Sequence, residues 1–445
     1  MQQLLRRLAT AAFLILFALG AQPVAAQAAL PARTAQDVQQ SLHLLETTAY
    51  REVNEQQLVD AARAALVEYA RKHGVAVTVP ALRDAGDETR TASELDGAIV
   101  SASVAAHGDA TEYAYAAIGG MAAAFGDRYT EFMTPDQYRQ FNAALDPERI
   151  SGIGVLVEQD PDTSYIRLSY VLPNTPAERA GLHEGDLLIS VDGASTKGLT
   201  IEGVSRLLRG KVGTVVNLQV APSLRVTPRA IPITRSEVQP PTVVFKMLPN
   251  QIGYVYVLAF GRATPDEFNL ALQRLQEQGA RALVFDLRND TGGYVDSAVY
   301  ISSHFVGDQA ILTVEARGDR ATTYHSDSKL QIDLPTTVLV NGYTASASEI
   351  TAGALQDDGA ATLVGTRTFG KGVMQTLTEL ADGAAIKITT AHYLTPARRD
   401  INLRGIDPDL SVDENRDARF GELDHDAQLR AAVAYLQRKI AVAPR

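Results

Sequence analysis

Apolar residues recur at three- and four-residue spacing over residues 35–73: Val38, Leu42 and Leu45, then Leu58, Ala61, Ala65, Leu66 and Tyr69. One face of an α-helix has that period, and Gly74 follows as a stop signal. Residues 77–95 carry Pro, Asp, Gly and Thr without a period and read as a loop. A second helical stretch covers residues 110–125 and stops at Gly126-Asp127. A third begins at Thr134-Pro135-Asp136, with Thr134 as an N-cap and Pro135 in the first helical position.

Near residue 150 the pattern shortens. Residues 153–157 and 165–170 are rich in β-branched and aromatic side chains and bounded by turns, which predicts strands. Strand-like segments continue to residue 237, with short helices at 175–180 and 201–208. Gly185 to Gly193 reads as a buried strand closed by an Asp192-Gly193 turn. From residue 252 the period alternates: strands at 252–257, 282–287, 336–340 and 362–365, helices at 265–278, 296–305 and 348–355. Such a rhythm indicates α/β layering on a largely parallel sheet. A last helical stretch covers 424–439. The expected fold is multidomain α/β: an N-terminal helical region (27–149), a small β-rich domain (150–237), an α/β core with a mixed sheet (238–412) and a C-terminal helical tail (413–445).

A chain of 445 residues exceeds one typical core, in keeping with that division. Its net charge of −11 argues against broad nucleic-acid binding. Residues 1–26 have Arg6 and Arg7, an apolar run from Leu8 to Ala21 and small residues at Val24-Ala25-Ala26. That is the form of a secretory signal peptide. The run is shorter than the ~20 residues of a membrane span, so a stable insertion is not expected. The expected location is periplasmic or extracellular. With no cysteine, neither disulfides nor a cysteine-linked lipid is available.

The chemistry concentrates late in the chain. Ser346 lies in Thr344-Ala345-Ser346-Ala347-Ser348-Glu349, among small residues before a helical pattern. A helix N-terminus offers free N–H groups and a dipole that favour a developing oxyanion. It is also where serine commonly serves as a cap, a role Ser348 fits better than Ser346. Lys371 stands between Gly370 and Gly372, 25 positions on. To serve as a base it must be neutral part of the time. Moving a lysine from about 10.4 to ~7.5 requires roughly 4 kcal/mol against the charged form, which burial supplies. The other reading is a solvated loop lysine. If the segment is extended, Gln375 shares a face with Lys371 and can orient the amine.

Other patterns carry less. Gly365 to Lys371 follows a phosphate-loop pattern until Gly372 replaces its final Ser or Thr. Ser326-Asp327-Ser328-Lys329 matches S-x-x-K without its partner motifs. His304, His325 and His392 lack metal-ligand spacing, so no metal or cofactor is expected.

Several segments in order resemble the carboxyl-terminal processing peptidases, the tail-specific serine protease family. Phe125-Gly126-Asp127-Arg128-Tyr129-Thr130 and Met133-Thr134-Pro135 resemble the segment before that family's PDZ domain. Ser151-Gly152-Ile153-Gly154-Val155 resembles its peptide-binding loop, and Asp286 to Gly293 its Gly-Gly turn. Gly405-Ile406-Asp407-Pro408-Asp409 resembles its closing strand region. The resemblance implies an endopeptidase with Ser346 as nucleophile, Lys371 as base and Gln375 beside it. It implies an oxyanion hole from the backbone N–H groups of Ala347 and Gly292, with Gly293 as the second choice. It further implies a PDZ domain binding protein or peptide substrates by their C-termini at Gly152, Ile153, Gly154 and Val155. Thr291 replaces the family's usual proline and Thr344 a common serine. A non-catalytic PDZ scaffold on the same fold is the rival reading. The helical ends fit either a homodimer contact or internal packing.

Overall fold

The computed structural model describes residues 29–83, 86–160, 162–318, 321–414 and 421–442. Residues 1–26, read from the sequence as a signal peptide, lie outside them. Among the described residues no helix is long and apolar enough to cross a membrane. The described residues form two compact units, one within residues 29–138 and 375–390, the other within 139–374 and 391–442.

In the first unit four helices, α1 (Ala32–Thr48), α2 (Glu55–Lys72), α3 (Glu88–Ala105) and α4 (Ala110–Ala123), pack with the hairpin of residues 375–390. Their apolar faces, including Leu42, Leu58, Leu66, Leu95, Ile99, Ile118 and Met121, enclose Leu380, Ile386 and Ile388. The periodic stretch at 35–73 is thus two helices: Asn54 caps α2, its side chain accepting from the Gln57 N–H at 2.8 Å. The loop expected at 77–95 is corrected by α3, which Asp87 caps through the Arg90 N–H at 2.9 Å. Its stripe of Leu95, Ala98, Ile99 and Ala102 is helical in period but too small in side chain to stand out. Gly120 lets α4 approach α2, since a Cβ there would lie 2.8 Å from the Ala61 carbonyl oxygen.

One buried carboxyl in this unit gives a pH dependence. Asp37 on α1 is fully buried and accepts the Ala381 N–H at 2.6 Å. Tyr115 on α4 donates to Asp382 at 2.7 Å. Burial first, then the neighbouring Asp382 side chain, raises the Asp37 carboxyl to about 7. A carboxyl raised on folding binds its proton more tightly when folded. Its stabilisation is therefore complete below the unfolded value near 4 and lost as pH rises through about 7. Asp37→Asn should raise stability by on the order of 2–4 kcal/mol at pH 8 and change little at pH 3.5. Thermal melts at the two pH values check this; an equal shift at both would contradict it.

Two larger sheets of different texture lie in the second unit. Five antiparallel strands run in the spatial order Val155–Gln159, Ile166–Val171, Leu187–Val191, Val215–Ala221, Arg229–Thr234. Ile166, Leu168, Val216 and Val220 meet Val204 of the helix Ile201–Leu208 in their core. The other sheet has six strands in the order Val243–Leu248, Ile252–Val257, Ala282–Asp286, Thr336–Val340, Ala361–Gly365, Leu410–Ser411. Its first pair is antiparallel and the rest parallel.

Alternation along these buried strands sends side chains to two helical layers. Val255, Phe285 and Val338 face Phe268, Ile301 and Ile350, from the helices Thr264–Glu277, Val295–Ser302 and Ala347–Asp357. Tyr254, Val284 and Leu339 face Leu429, Val433 and Leu436 of the terminal helix Ala427–Val442. Buried Arg288 fastens that helix, donating to Asp286 at 2.6 Å and to Asp426 at 2.7 Å. The strands Ala310–Ala316 and Ala321–His325 form a hairpin that the sequence reading did not include.

Candidate active site

Three neighbouring parallel strands end side by side, and a loop carrying candidate site residues leaves the C-terminal end of each. Ala282–Asp286 leads to Gly292-Gly293, Thr336–Val340 to Ser346, and Ala361–Gly365 to Lys371. Open α/β sheets bind ligands at that edge.

Ser346 turns the chain into the helix Ala347–Asp357 with φ 59° and ψ −117°. A non-glycine residue rarely adopts this conformation, which costs on the order of 1–3 kcal/mol unless its surroundings impose it. Here they do. Glu349 receives the Ser346 N–H at 3.0 Å, and Ala345 N–H donates to the Asp290 carbonyl at 3.0 Å. Gly292 presses on the turn: a Cβ on it would lie 2.7 Å from the Ala345 carbonyl oxygen and from the Ala347 nitrogen. Its φ of +98° and the +152° of Gly293 also favour glycine.

Glu349 joins the serine and lysine loops. Its side chain is fully buried and accepts Thr368 Oγ1–H at 2.5 Å, Gly370 N–H at 2.8 Å and Lys371 N–H at 2.8 Å. The same oxygen, Oε2, takes both the Ser346 and Lys371 amides. Burial outweighs these donors and raises its carboxyl above the usual range. A second bridge is Tyr393, whose hydroxyl donates to the Lys371 carbonyl at 2.7 Å with the Ser346 carbonyl 3.2 Å away. The structure therefore brings Ser346, Ala347, Gly292 and Lys371 into one region. Ser346 and Lys371 are both half-buried. Gln375 is on the strand Val373–Glu379 and belongs to the other compact unit.

The two glycine amides differ. Gly292 N–H donates to Asp290 Oδ1 at 2.8 Å, while the Gly293 N–H has no hydrogen-bond partner among the described residues. Burial raises the Asp290 carboxyl to about 7. Thr344 suits its place: its hydroxyl donates to the Leu287 carbonyl at 2.9 Å and accepts Asn341 N–H at 3.0 Å, bonds a serine could also make. Thr291 is exposed. The Gly365 to Gly372 segment leads into a strand, not the helix a phosphate loop needs.

Glu349 had a sequence signal that went unused, since Ser-x-x-Glu is the capping-box spacing. Tyr393 and Asp290 carried none.

The strand Val155–Gln159 lies at the edge of its sheet with the helix Ile201–Leu208 in contact with it. A groove of about 790 Å³ runs there, lined by Gly152, Ile153, Gly154 and Val155 and by Ile201 and Leu208. Gly154 has φ +89°, and a Cβ there would strike the Thr175 side chain at 2.3 Å.

A model of peptidase family S41 matches residues 251–412, and a PDZ domain model matches 167–222. A carboxyl-terminal-processing protease of a Picosynechococcus species is 36% identical over 335 residues, 74% of this chain and 80% of its own. One from a Synechocystis species is 35% identical over 338 residues, 75% and 79% of the two chains. A carboxy-terminal processing protease of Bacillus subtilis is 32% identical over 326 residues, 73% and 69%. Among solved structures, a photosystem II D1 C-terminal processing protease covers 90% of this chain and 97% of its own, at 26% identity and a TM-score of 0.47. The chain belongs to the carboxyl-terminal-processing serine proteases of peptidase family S41 and carries a PDZ domain.

Proposed function

We propose that this protein is an exported endopeptidase that takes substrates by their C-termini in the PDZ groove and cleaves them with Ser346 and Lys371. The observation that carries the reading is the shared Glu349 oxygen, which fixes the backbones of both residues around one point.

Neutral Lys371 takes the Ser346 hydroxyl proton as Oγ attacks the scissile carbonyl carbon. The resulting oxyanion is held by the N–H of Ala347 and an N–H of the Gly292-Gly293 turn. Gly293, whose N–H has no hydrogen-bond partner among the described residues, is favoured for the second place, since Gly292 is engaged by Asp290. Lys371, now an ammonium, protonates the leaving amine, and water releases the acyl group by the same steps reversed. Gln375, four residues further on, completes the set as the group that orients the amine.

The incoming C-terminal segment adds as a strand to the open edge at Val155–Gln159, its carboxylate on backbone N–H groups near Gly152 to Gly154. Export rests on the sequence of residues 1–26.

The test is cleavage of an unstructured protein offered with a free or an amidated C-terminus. Amidation should lower kcat/KM by about 10-fold or more, since it removes the charge the N–H groups receive. Equal rates would remove C-terminal recognition from the reading.

A further inference from the structure

The segment leading into the PDZ domain is fastened to the Gly-Gly turn by one carboxylate. Asp146 follows the helix Pro135–Leu145 and lies far from Ser346 in sequence. Its Oδ1 accepts the Arg262 N–H at 2.7 Å, and its Oδ2 accepts Arg262 Nη1–H at 3.0 Å and the Tyr294 hydroxyl at 2.8 Å. The Arg262 guanidinium also lies 5.0 Å from the centre of the Tyr294 ring. At Gly261 the two segments touch: a Cβ there would lie 2.1 Å from the Leu145 carbonyl oxygen.

Each side of this clamp leads to the turn. Tyr294 directly follows Gly293, and Tyr294 N–H donates to the Phe260 carbonyl at 2.8 Å. Phe260 N–H in turn donates to the Gly292 carbonyl at 3.1 Å. Gly292 then bears on Ala345 and Ala347 around the nucleophile. An exposed ion pair alone would contribute little, and Arg262 is exposed. A carboxylate that also receives a backbone N–H and a phenol is a different case, because it fixes three groups in one geometry. Neither the chemistry nor the groove uses Asp146 directly.

We propose that Asp146 is a positioning residue for the peptidase reaction, holding the Gly292-Gly293 turn in register with Ser346 through Arg262 and Tyr294. This rests on the reading of Ser346 as nucleophile and of that turn as part of the oxyanion site. Misplacing an oxyanion donor by a fraction of an ångström affects the transition state and not substrate binding, so kcat should carry the loss.

The experiment measures kcat and KM for an unstructured protein substrate with Asp146→Ala, Asp146→Asn, Tyr294→Phe, and Asp146→Ala combined with Tyr294→Phe. Asp146→Ala should lower kcat by about 10- to 100-fold with KM within about twofold. Asp146→Asn keeps an acceptor for Tyr294 and should fall between it and the wild type. The double variant should be no slower than Asp146→Ala, since both act through one clamp. Unchanged kcat in Asp146→Ala, or losses that multiply in the double variant, would overturn the proposal. If Asp146→Ala does not fold, Tyr294→Phe, which deletes one hydroxyl, decides alone: full kcat overturns the proposal. A wild type whose cleavage survives Ser346→Ala would instead sink the underlying reading, an outcome these variants do not imitate.

Discussion

Ser346→Ala should reduce kcat by on the order of 10⁴- to 10⁶-fold, leaving only what oriented binding and the oxyanion donors provide. Lys371→Ala should fall in the same range, because a serine hydroxyl without a base is a poor nucleophile. The double variant should be no worse than either single one, since the two residues act as a unit. Lys371→Arg should not restore the rate: a guanidinium stays protonated and cannot accept the hydroxyl proton. Substrate binding in the PDZ groove should survive every one of these changes, because the groove is lined by other residues. Steady-state cleavage together with fluorophosphonate labelling of Ser346 checks the set. Cleavage by Lys371→Ala at the wild-type rate would remove the lysine from the mechanism.

Glu349→Ala is expected to have the next largest effect, on both stability and rate. Its side chain receives three backbone N–H groups and one hydroxyl inside the protein. Removing it leaves those donors without partners at about 1–3 kcal/mol each, partly relieved by entering water, so a loss of about 3–5 kcal/mol is expected. Glu349→Gln is the sharper test. Its amide keeps the shape, but its NH₂ must then face either the Ser346 and Lys371 amides or the donors on the other oxygen. Donor then meets donor, and the serine and lysine loops lose their common anchor. A fall in kcat of about 100-fold or more is expected for Gln, with a smaller drop in melting temperature than for Ala. If Gln retained full activity, the shared oxygen would not be what sets the site.

Much of the fold was legible because its elements have strong periods. The strands Ile252–Val257 and Thr336–Val340 fall where β-branched runs predict them, since both faces of a central parallel strand are buried. The helix Ile201–Leu208 was equally plain. The helix Glu88–Ala105 was not, because Ala, Ser and Thr fill most of its buried face. The strands Ala310–Ala316 and Ala385–Leu394 were missed for another reason. Besides the local hairpin that Ala310–Ala316 makes with Ala321–His325, these two strands pair with each other across a long sequence distance, and no local turn marks Thr313 as the partner of Leu394.

For the proposed site, sequence by itself determined which residue types are present and in what order. A serine before a helix, a lysine between glycines and a Gly-Gly turn are local facts, and their order resembles a known family. Each residue type limits the chemistry open to it wherever the chain carries it. Only the tertiary structure decided that the three loops leave adjacent strands and that Glu349 joins two of them through one oxygen atom. It also decided which glycine amide is engaged and that Asp146 fastens the PDZ approach to the turn. These are matters of distance between residues far apart in the chain. Parallel strand register and close backbone contact set them, and neither is a property of any short stretch of sequence.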